Sequence, residues 1–280
     1  MVTTTPVETV VGTADSFRTA DAAPEVPASA CERLANSVPQ KGTRRFRRLM
    51  ESQAQDSTSL SDGAEKCAGK IFSVDGALFF LPERNENFLL RRLERTGRFL
   101  GQNVLQQAAA QIRPNPIVVD TGANFGNESI FFAVEAGAEK IYSFEGNPND
   151  IELLKKNVGL NNLGKKINVN PFILSDETKT VKLRSRSPFS HEREITVAAR
   201  PLDSFDLGPK IDLLLLKGAE LGAATLAGAT ETLKKVENVL LFSGWSTDSD
   251  AIVQKLEESG FEQAAKFGQS ELFQRKTKKN

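Results

Sequence analysis

The chain has 280 residues, with 36 basic and 36 acidic side chains, 39% apolar residues and 26% charged residues. These proportions are those of a soluble globular chain and exclude collagen-like, disulfide-scaffold and wholly disordered classes. A net charge of zero gives no chain-wide electrostatic footprint for nucleic acid; this argues against a nucleic-acid partner while leaving local patches open.

Cys31 and Cys67 are too few and too far apart for a cysteine zinc site or a disulfide framework, and read as reduced thiols. The longest apolar runs, such as Ala77–Leu81 and Ile130–Val134, are about five residues, so no bilayer-spanning helix is predicted. A soluble, intracellular and cytoplasmic protein is the expectation.

Residues 1–66 read as an extended tail. Met1–Gln40 is rich in Thr, Val, Ala, Ser and Pro without a sustained period, and Glu8, Asp15 and Asp21 interrupt any secretory apolar core. Lys41–Arg48 packs five cations into eight residues, a solvated cluster or a contact for an anionic or protein partner. Residues 67–112 read as a cap. Ile71–Val74 and Ala77–Leu81 flank Asp75-Gly76, a type I′ hairpin signal. Asn87–Leu105 follows as an amphipathic helix loosened at Gly97, with Phe88, Leu89 and Leu93 on its apolar face and Arg91, Arg92, Arg95 and Arg98 around it.

Residues 113–280 alternate strands and helices. Strands are predicted at Ile117–Asp120, Lys140–Phe144, Ile167–Ile173, Ile211–Leu216 and Val239–Phe242, with helices at Asn127–Ala136, from Asp150 as N-cap through Val158, at Ala223–Lys235 and at Asp250–Ser259. Val181–Leu183 and Ile195–Ala198 are short β-like stretches, and Ala264–Phe267 with Glu271–Gln274 form a closing hairpin about Gly268. The pattern predicts an α/β doubly wound, mostly parallel sheet with one reversed strand and a C-terminal antiparallel hairpin.

The sharpest chemical signal is VVDTGANFG, Val118–Gly126, where a strand turns into a helix. Open parallel sheets bind ligands at the carboxyl ends of their strands. Gly122 and Gly126 let backbone approach a ligand. Asp120 at the strand end suits a cationic ligand, and D-x-G-x-x-x-G departs from the G-x-G-x-x-G of dinucleotide sites. S-adenosylmethionine, with an ammonium and a sulfonium, fits this better. Glu145 in FEGNP, 25 residues further on, ends the next strand and is placed to accept ribose hydroxyls.

These stretches, with LKKNVGLNN, ILSDE, RPLDSF and IDLLLLKGAE, resemble the successive signatures of FkbM-type S-adenosylmethionine-dependent methyltransferases, from about Gly69 onward. The resemblance implies a class I methyltransferase fold, S-adenosylmethionine as cofactor and a hydroxyl acceptor on a sugar or small natural product. It carries cofactor contacts onto Asp120, Gly122, Asn124, Gly126, Glu145 and Asn147, with Leu174 and Ser175 near the adenine edge. Asn162 serves a helix end, and no metal is implied. Gly146 replaces a family proline, expected only to loosen a loop. In the fourth-strand motif the family has acids before the glycine; here Leu216-Lys217-Gly218 stands instead.

A cation at that strand end, about 5 Å from a sulfonium at an effective dielectric near 20, costs roughly 3 kcal/mol. Cofactor binding is therefore weakened unless Lys217 points outward, pairs with Glu220 or Asp212, or deprotonates and serves as a base. Two readings follow: an O-methyltransferase, or a catalytically inactive methyltransferase-fold subunit held in an assembly by its tail. Nucleic-acid methylation comes third, because of the balanced charge. His191 reads as a loop residue, Trp245 as a sugar-stacking or core residue, and Asp203 as a turn cap.

Overall fold

The computed structural model describes residues 69–83, 87–184, 194–217, 220–243 and 249–277. The tail with Lys41–Arg48, both cysteines, His191 and Trp245 lie outside the described residues.

The chain opens with a hairpin, β1 (Gly69–Val74) and β2 (Ala77–Pro82). Asp75 and Gly76 both have positive φ, at 44° and 84°, as a type I′ turn demands. The expected long helix is two: α1 (Phe88–Thr96) and α2 (Gln102–Ala109). Gly97 closes α1 in the left-handed conformation, its N–H donating to the Leu93 carbonyl, and Gly101, also left-handed, opens α2. The inward face of α1 carries Leu90 and Leu93, whereas Phe88, placed on that face by the sequence pattern, is 60% exposed. The Asn87 side chain accepts from the N–H groups of Leu89 and Leu90, so Asn87 is the N-cap and Phe88 stands at the first helical position, while Leu89 is partly buried against the core.

The main sheet has seven strands: β3 (Ile117–Thr121), β4 (Lys140–Phe144), β5 (Ile167–Asn170), β9 (Leu213–Lys217), β10 (Asn238–Phe242), β11 (Phe261–Phe267) and β12 (Ser270–Arg275). Their order is β11-β12-β10-β9-β3-β4-β5. The pairs β3–β4, β3–β9, β4–β5 and β9–β10 are parallel, and β12 alone runs against its neighbours β10 and β11. This is the Rossmann-like methyltransferase fold with its one reversed strand. The strand order turns back at β3, so the tips of β3, β4 and β9 border a crevice.

Three boundaries differ from the sequence pattern. Ile167–Ile173 is split: β5 ends at Asn170, and β6 (Ile173–Leu174) joins β7 (Lys179–Arg184) and β8 (Glu194–Arg200) in a separate three-stranded sheet. The exposed Pro171, which lacks an N–H, sits at the break. The helix expected over Ala223–Lys235 is α5 (Glu220–Ala227) and α6 (Thr230–Leu233), parted at Gly228, where a Cβ would strike the Ser175 carbonyl. The helix expected from Asp150 starts earlier as α4 (Pro148–Leu160), capped by Asn147 with Pro148 in the first turn. The remaining helices are α3 (Asn127–Val134) and α7 (Ser249–Glu258).

Both faces of the sheet are apolar, as parallel strands require. On β9, Leu213 and Leu215 join the core layer under α1–α4, while Leu214 and Leu216 join the layer under α5–α7. The hairpin is bound into the first layer. Phe79 makes edge contacts with Phe99 and Phe125, and Asn157 of α4 accepts from the Phe80 N–H and donates to the Phe125 carbonyl. No helix among the described residues is long and apolar enough to cross a membrane.

Candidate functional site

The crevice is built by residues 121–126, between β3 and α3. Gly122 (φ 115°), Asn124 (φ 50°) and Gly126 (φ 99°) all take positive φ. The Gly122 and Ala123 N–H groups donate to the Phe144 carbonyl, clamping the bend to the tip of β4. A Cβ on Gly126 would lie 2.7 Å from Leu154 Cδ1, and with φ at 99° the backbone there favours glycine.

Asp120 is fully buried at the tip of β3. Its Oδ2 accepts from the Ser129 hydroxyl at 2.6 Å, and Ser129 in turn contacts Ser143 of β4 at 2.8 Å. Asp120 Oδ1 has no hydrogen-bond partner among the described residues. Burial pushes the Asp120 carboxyl up to about 6, against the pull of Lys217. Glu145 accepts from the Asn124 N–H through Oε2 and from the Asn147 N–H through Oε1, both at 2.8 Å. Burial raises its pKa against those backbone bonds. Two of the carboxylate's roughly four acceptor positions are filled, leaving capacity for hydroxyls.

Asn124 is placed twice over. Its N–H anchors Glu145, and its side-chain oxygen accepts from Asn87 Nδ2 at 2.7 Å. Asn87 also donates to Asp150 Oδ1, so the N-terminus of α1 abuts the bend. Asn147 caps α4 by accepting from the Asn149 N–H. Ser175 is buried, and its partners are Asp176 and the Arg200 carbonyl. Six of the seven cofactor-contact candidates thus converge on one bend, and Ser175 is tied to β8. Leu174 is buried in the core with Phe144.

Lys217 does not pair with Asp212. Asp212 lies at the opposite end of β9, bound to Arg113 and to the Ile117 N–H, and the Glu220 side chain lies outside the described residues. Lys217 Nζ instead lies 2.9 Å from Glu128 and 3.9 Å from Asp120, and 4.4 Å from the centre of the Phe242 ring. Burial lowers its pKa, but Glu128 and Asp120 outweigh that and raise it overall, which favours the ammonium over a neutral lysine base. The repulsion expected from this cation is offset by its neighbours. One ammonium faces three carboxylates, Asp120, Glu128 and Glu145, and the site stays net negative.

Gly146 is likewise corrected. It does more than loosen a loop, because Ile173 fills the place its Cβ would take. Sequence reasoning missed Glu128, Ser129 and Asn87. The signal for Glu128 was its place in the first turn of α3, where the helix dipole favours an acid. Asp203 does cap, through N–H groups of Glu231 and Thr232, and Asn162 takes φ 57° in the turn after α4.

Residues 102–185 match the family model of the TRM5/TYW2 methyltransferase domain, under a third of the chain. No curated protein matches the sequence. Among solved structures, M. jannaschii tRNA m1G37 methyltransferase is similar at 18% identity and TM-score 0.44, over 75% of this chain and 58% of that one. M. jannaschii TYW2 in complex with AdoMet is similar at 14% identity and TM-score 0.42, over 74% of this chain and 87% of that one. Methyltransferase FkbM from Methylobacillus flagellatus KT is similar at 14% identity and TM-score 0.43, over 59% of this chain and 45% of that one. The chain therefore spans less than two thirds of the first and third of these proteins.

The matching family model is not the FkbM type expected from the motifs, although an FkbM methyltransferase is among the similar structures. The expected cofactor, S-adenosylmethionine, is the one held by the TYW2 structure. The residues present fit it in one respect: the orphaned Asp120 Oδ1 lacks a donor that an ammonium supplies. The expectation against nucleic acid is overturned, because a tRNA methyltransferase is among the similar proteins. A whole-chain charge sum hides local faces: Arg92, Arg95 and Arg98 are exposed together on and just after α1.

Proposed function

We propose that this chain binds S-adenosylmethionine over the 121–126 bend and transfers its methyl group to an RNA. The observation that carries the reading is the buried, unpartnered Asp120 Oδ1 at a glycine bend, within the stretch that matches a methyltransferase domain. In this reading Asp120 takes the ammonium of the ligand, Glu145 its ribose hydroxyls, and Gly122 and Gly126 the close backbone approach. Asn124 and Asn147 hold Glu145 in place, and Ser175 borders the adenine edge. The cofactor supplies an activated methyl group on a sulfonium. The protein's part is then to hold that methyl in line with an acceptor atom and exclude water, so catalysis is mainly proximity and orientation.

RNA as the acceptor, in place of a sugar hydroxyl, is supported by the TRM5/TYW2 domain match. It is also supported by the position of α1, whose N-cap Asn87 bonds Asn124 of the bend, and by the exposed Arg92, Arg95 and Arg98 on and just after that helix. Calorimetric titration with S-adenosylmethionine and S-adenosylhomocysteine tests the cofactor site, and transfer of labelled methyl into total tRNA tests the acceptor. Heat with both ligands and label in RNA are expected; no heat with either ligand refutes the reading.

One observation favours a second reading, a methyltransferase fold without turnover: Lys217 lies across Gly122 with its ammonium on Glu128 and Asp120. Cofactor binding without transfer to any RNA would select it.

A further inference from the structure

We infer that Arg200, stacked against Phe172 and Phe205 beside the tip of β4, is a docking point for single-stranded RNA. The guanidinium takes a phosphate and the Phe172 ring takes a base; the inference rests on the RNA reading above. The guanidinium carbon lies 5.2 Å from the centre of the Phe172 ring and 4.7 Å from that of Phe205. The two ring centres are 5.6 Å apart, tilted by 56°. All three residues are half-buried.

The two rings position the guanidinium without engaging its donors. Among the described residues its side chain makes no hydrogen bond and no ion pair. The half-buried Arg275 does differently, donating to the Val236 carbonyl. The acids nearest in sequence are engaged elsewhere. Asp176 holds Lys179 and the Ser175 hydroxyl, Asp203 caps α6, and Asp206 accepts from the Gly208 N–H. A planar fork of five donors that no described residue engages, its orientation fixed by two rings, matches a phosphate that accepts two parallel bonds. An aromatic face beside such a cation is the pairing that unstacked bases use, whatever their sequence.

The location suits an acceptor strand. Phe205 packs edge-on against Phe144, 4.9 Å between centres, and Phe144 immediately precedes Glu145. The N–H groups of Glu145 and Phe172 both donate to the Asn170 carbonyl. A strand seated on Arg200 therefore runs past the same strand tip that carries Glu145.

The test measures binding of fluorescein-labelled oligouridylate to the full chain across a salt series, with S-adenosylmethionine affinity measured in parallel. Arg200→Ala is expected to weaken RNA binding about tenfold and to flatten the log–log salt slope by about 0.7, one phosphate contact on a single strand. Phe172→Leu is expected to weaken binding by a similar factor with the slope unchanged. Arg200→Lys, which keeps the charge but loses the fork, restores the slope without restoring the full affinity. Cofactor affinity stays the same in all three. Should Arg200→Ala lower the melting temperature, Arg200→Gln repeats the measurement with the stem retained. Wild-type RNA affinity retained in the variants overturns the inference, as does a loss confined to S-adenosylmethionine, which would assign the rings to the cofactor. If the wild-type chain binds neither oligouridylate nor tRNA, the RNA reading itself fails, and this inference with it.

Discussion

Lys217 lies across Gly122, its Cγ 3.2 Å from the point where a Cβ on that glycine would stand, and it reaches over the bend to Glu128. The side chain is 26% exposed, so it is held at the mouth of the crevice by charge and by the Phe242 ring beneath it. The lysine's positive charge therefore sits beside the one buried carboxylate oxygen that lacks a donor. A cationic ligand entering the bend competes with it for Asp120.

Replacing the lysine by methionine removes that competitor and leaves three carboxylates unopposed. Lys217→Met is expected to tighten S-adenosylmethionine binding about tenfold, roughly 1.4 kcal/mol, and S-adenosylhomocysteine binding by less, because the latter lacks the sulfonium. The same change lowers unfolding stability by about 1–2 kcal/mol, since Asp120 loses its only nearby cation while Glu128 stays partly hydrated. Paired calorimetric titrations and a urea melt check both. Equal gains for the two ligands would show that space, and not charge, is what the lysine takes.

Asp120 sets a pH dependence. Its carboxyl is raised from an ordinary 3.8 to about 6 by burial. The folded chain thus binds a proton more readily than the unfolded one. The contribution to stability is full below about pH 4 and is lost as pH rises through 6, by at most about 3 kcal/mol. Cofactor affinity moves the other way: the carboxylate that receives an ammonium becomes the major form only above about pH 6, so S-adenosylmethionine binding strengthens between about pH 5 and 7. Asp120→Asn is expected to flatten both profiles. A profile in Asp120→Asn as steep as in the wild-type chain would assign the titration to another group.

The parts of this site that are local in sequence were legible from it. The bend at Gly122 and Gly126, the acid before it and the acid at the next strand tip all follow from strand ends and glycine spacing. What the sequence withheld is non-local. Lys217 and Glu128 are brought together because β9 is hydrogen-bonded to β3, and no window along the chain contains both. The break at Asn170 was hidden for a related reason. Ile167–Ile173 has the composition of one strand, yet Ile173 is claimed by the second sheet and by the space above Gly146. The exposure of Phe88 was missed because apolar spacing alone does not register which residue the cap selects.

Gly146 and Ile173 give a coupled prediction. Ile173 occupies the position of a Cβ on Gly146, and the Ile173 backbone nitrogen is 3.2 Å from the same point. Gly146→Ala is expected to cost about 1–3 kcal/mol by overpacking. Ile173→Ala also destabilises, by about 2–4 kcal/mol, because the residue is buried against Val197 and Ala199. The double variant is expected to lose less than the sum, with a coupling of about 1 kcal/mol or more. Additive losses in a double-mutant cycle would mean that the backbone contact, which the truncation leaves in place, dominates.

The final prediction concerns how the hairpin is held to the site. Asn157 sits in α4 with its side chain fully buried; its oxygen receives the Phe80 N–H of β2 and its amide donates to the Phe125 carbonyl inside the bend, at 2.8 and 2.9 Å. One side chain therefore satisfies two backbone groups from segments 45 residues apart in the chain, Phe80 and Phe125. Asn157→Ala leaves both groups without partners, at about 1–3 kcal/mol each for buried polar atoms, unless water enters. Asn161 makes the equivalent pair of bonds to Leu78 at a half-buried position, where solvent can replace them. Asn161→Ala should therefore cost less. Because Phe125 adjoins Gly126, Asn157→Ala also weakens cofactor binding, whereas Asn161→Ala leaves it unchanged. Urea unfolding and calorimetry on the two variants separate these effects, and a loss for Asn157→Ala within about 0.5 kcal/mol, the range of an ordinary surface substitution, would show that the hairpin is anchored by its phenylalanines alone.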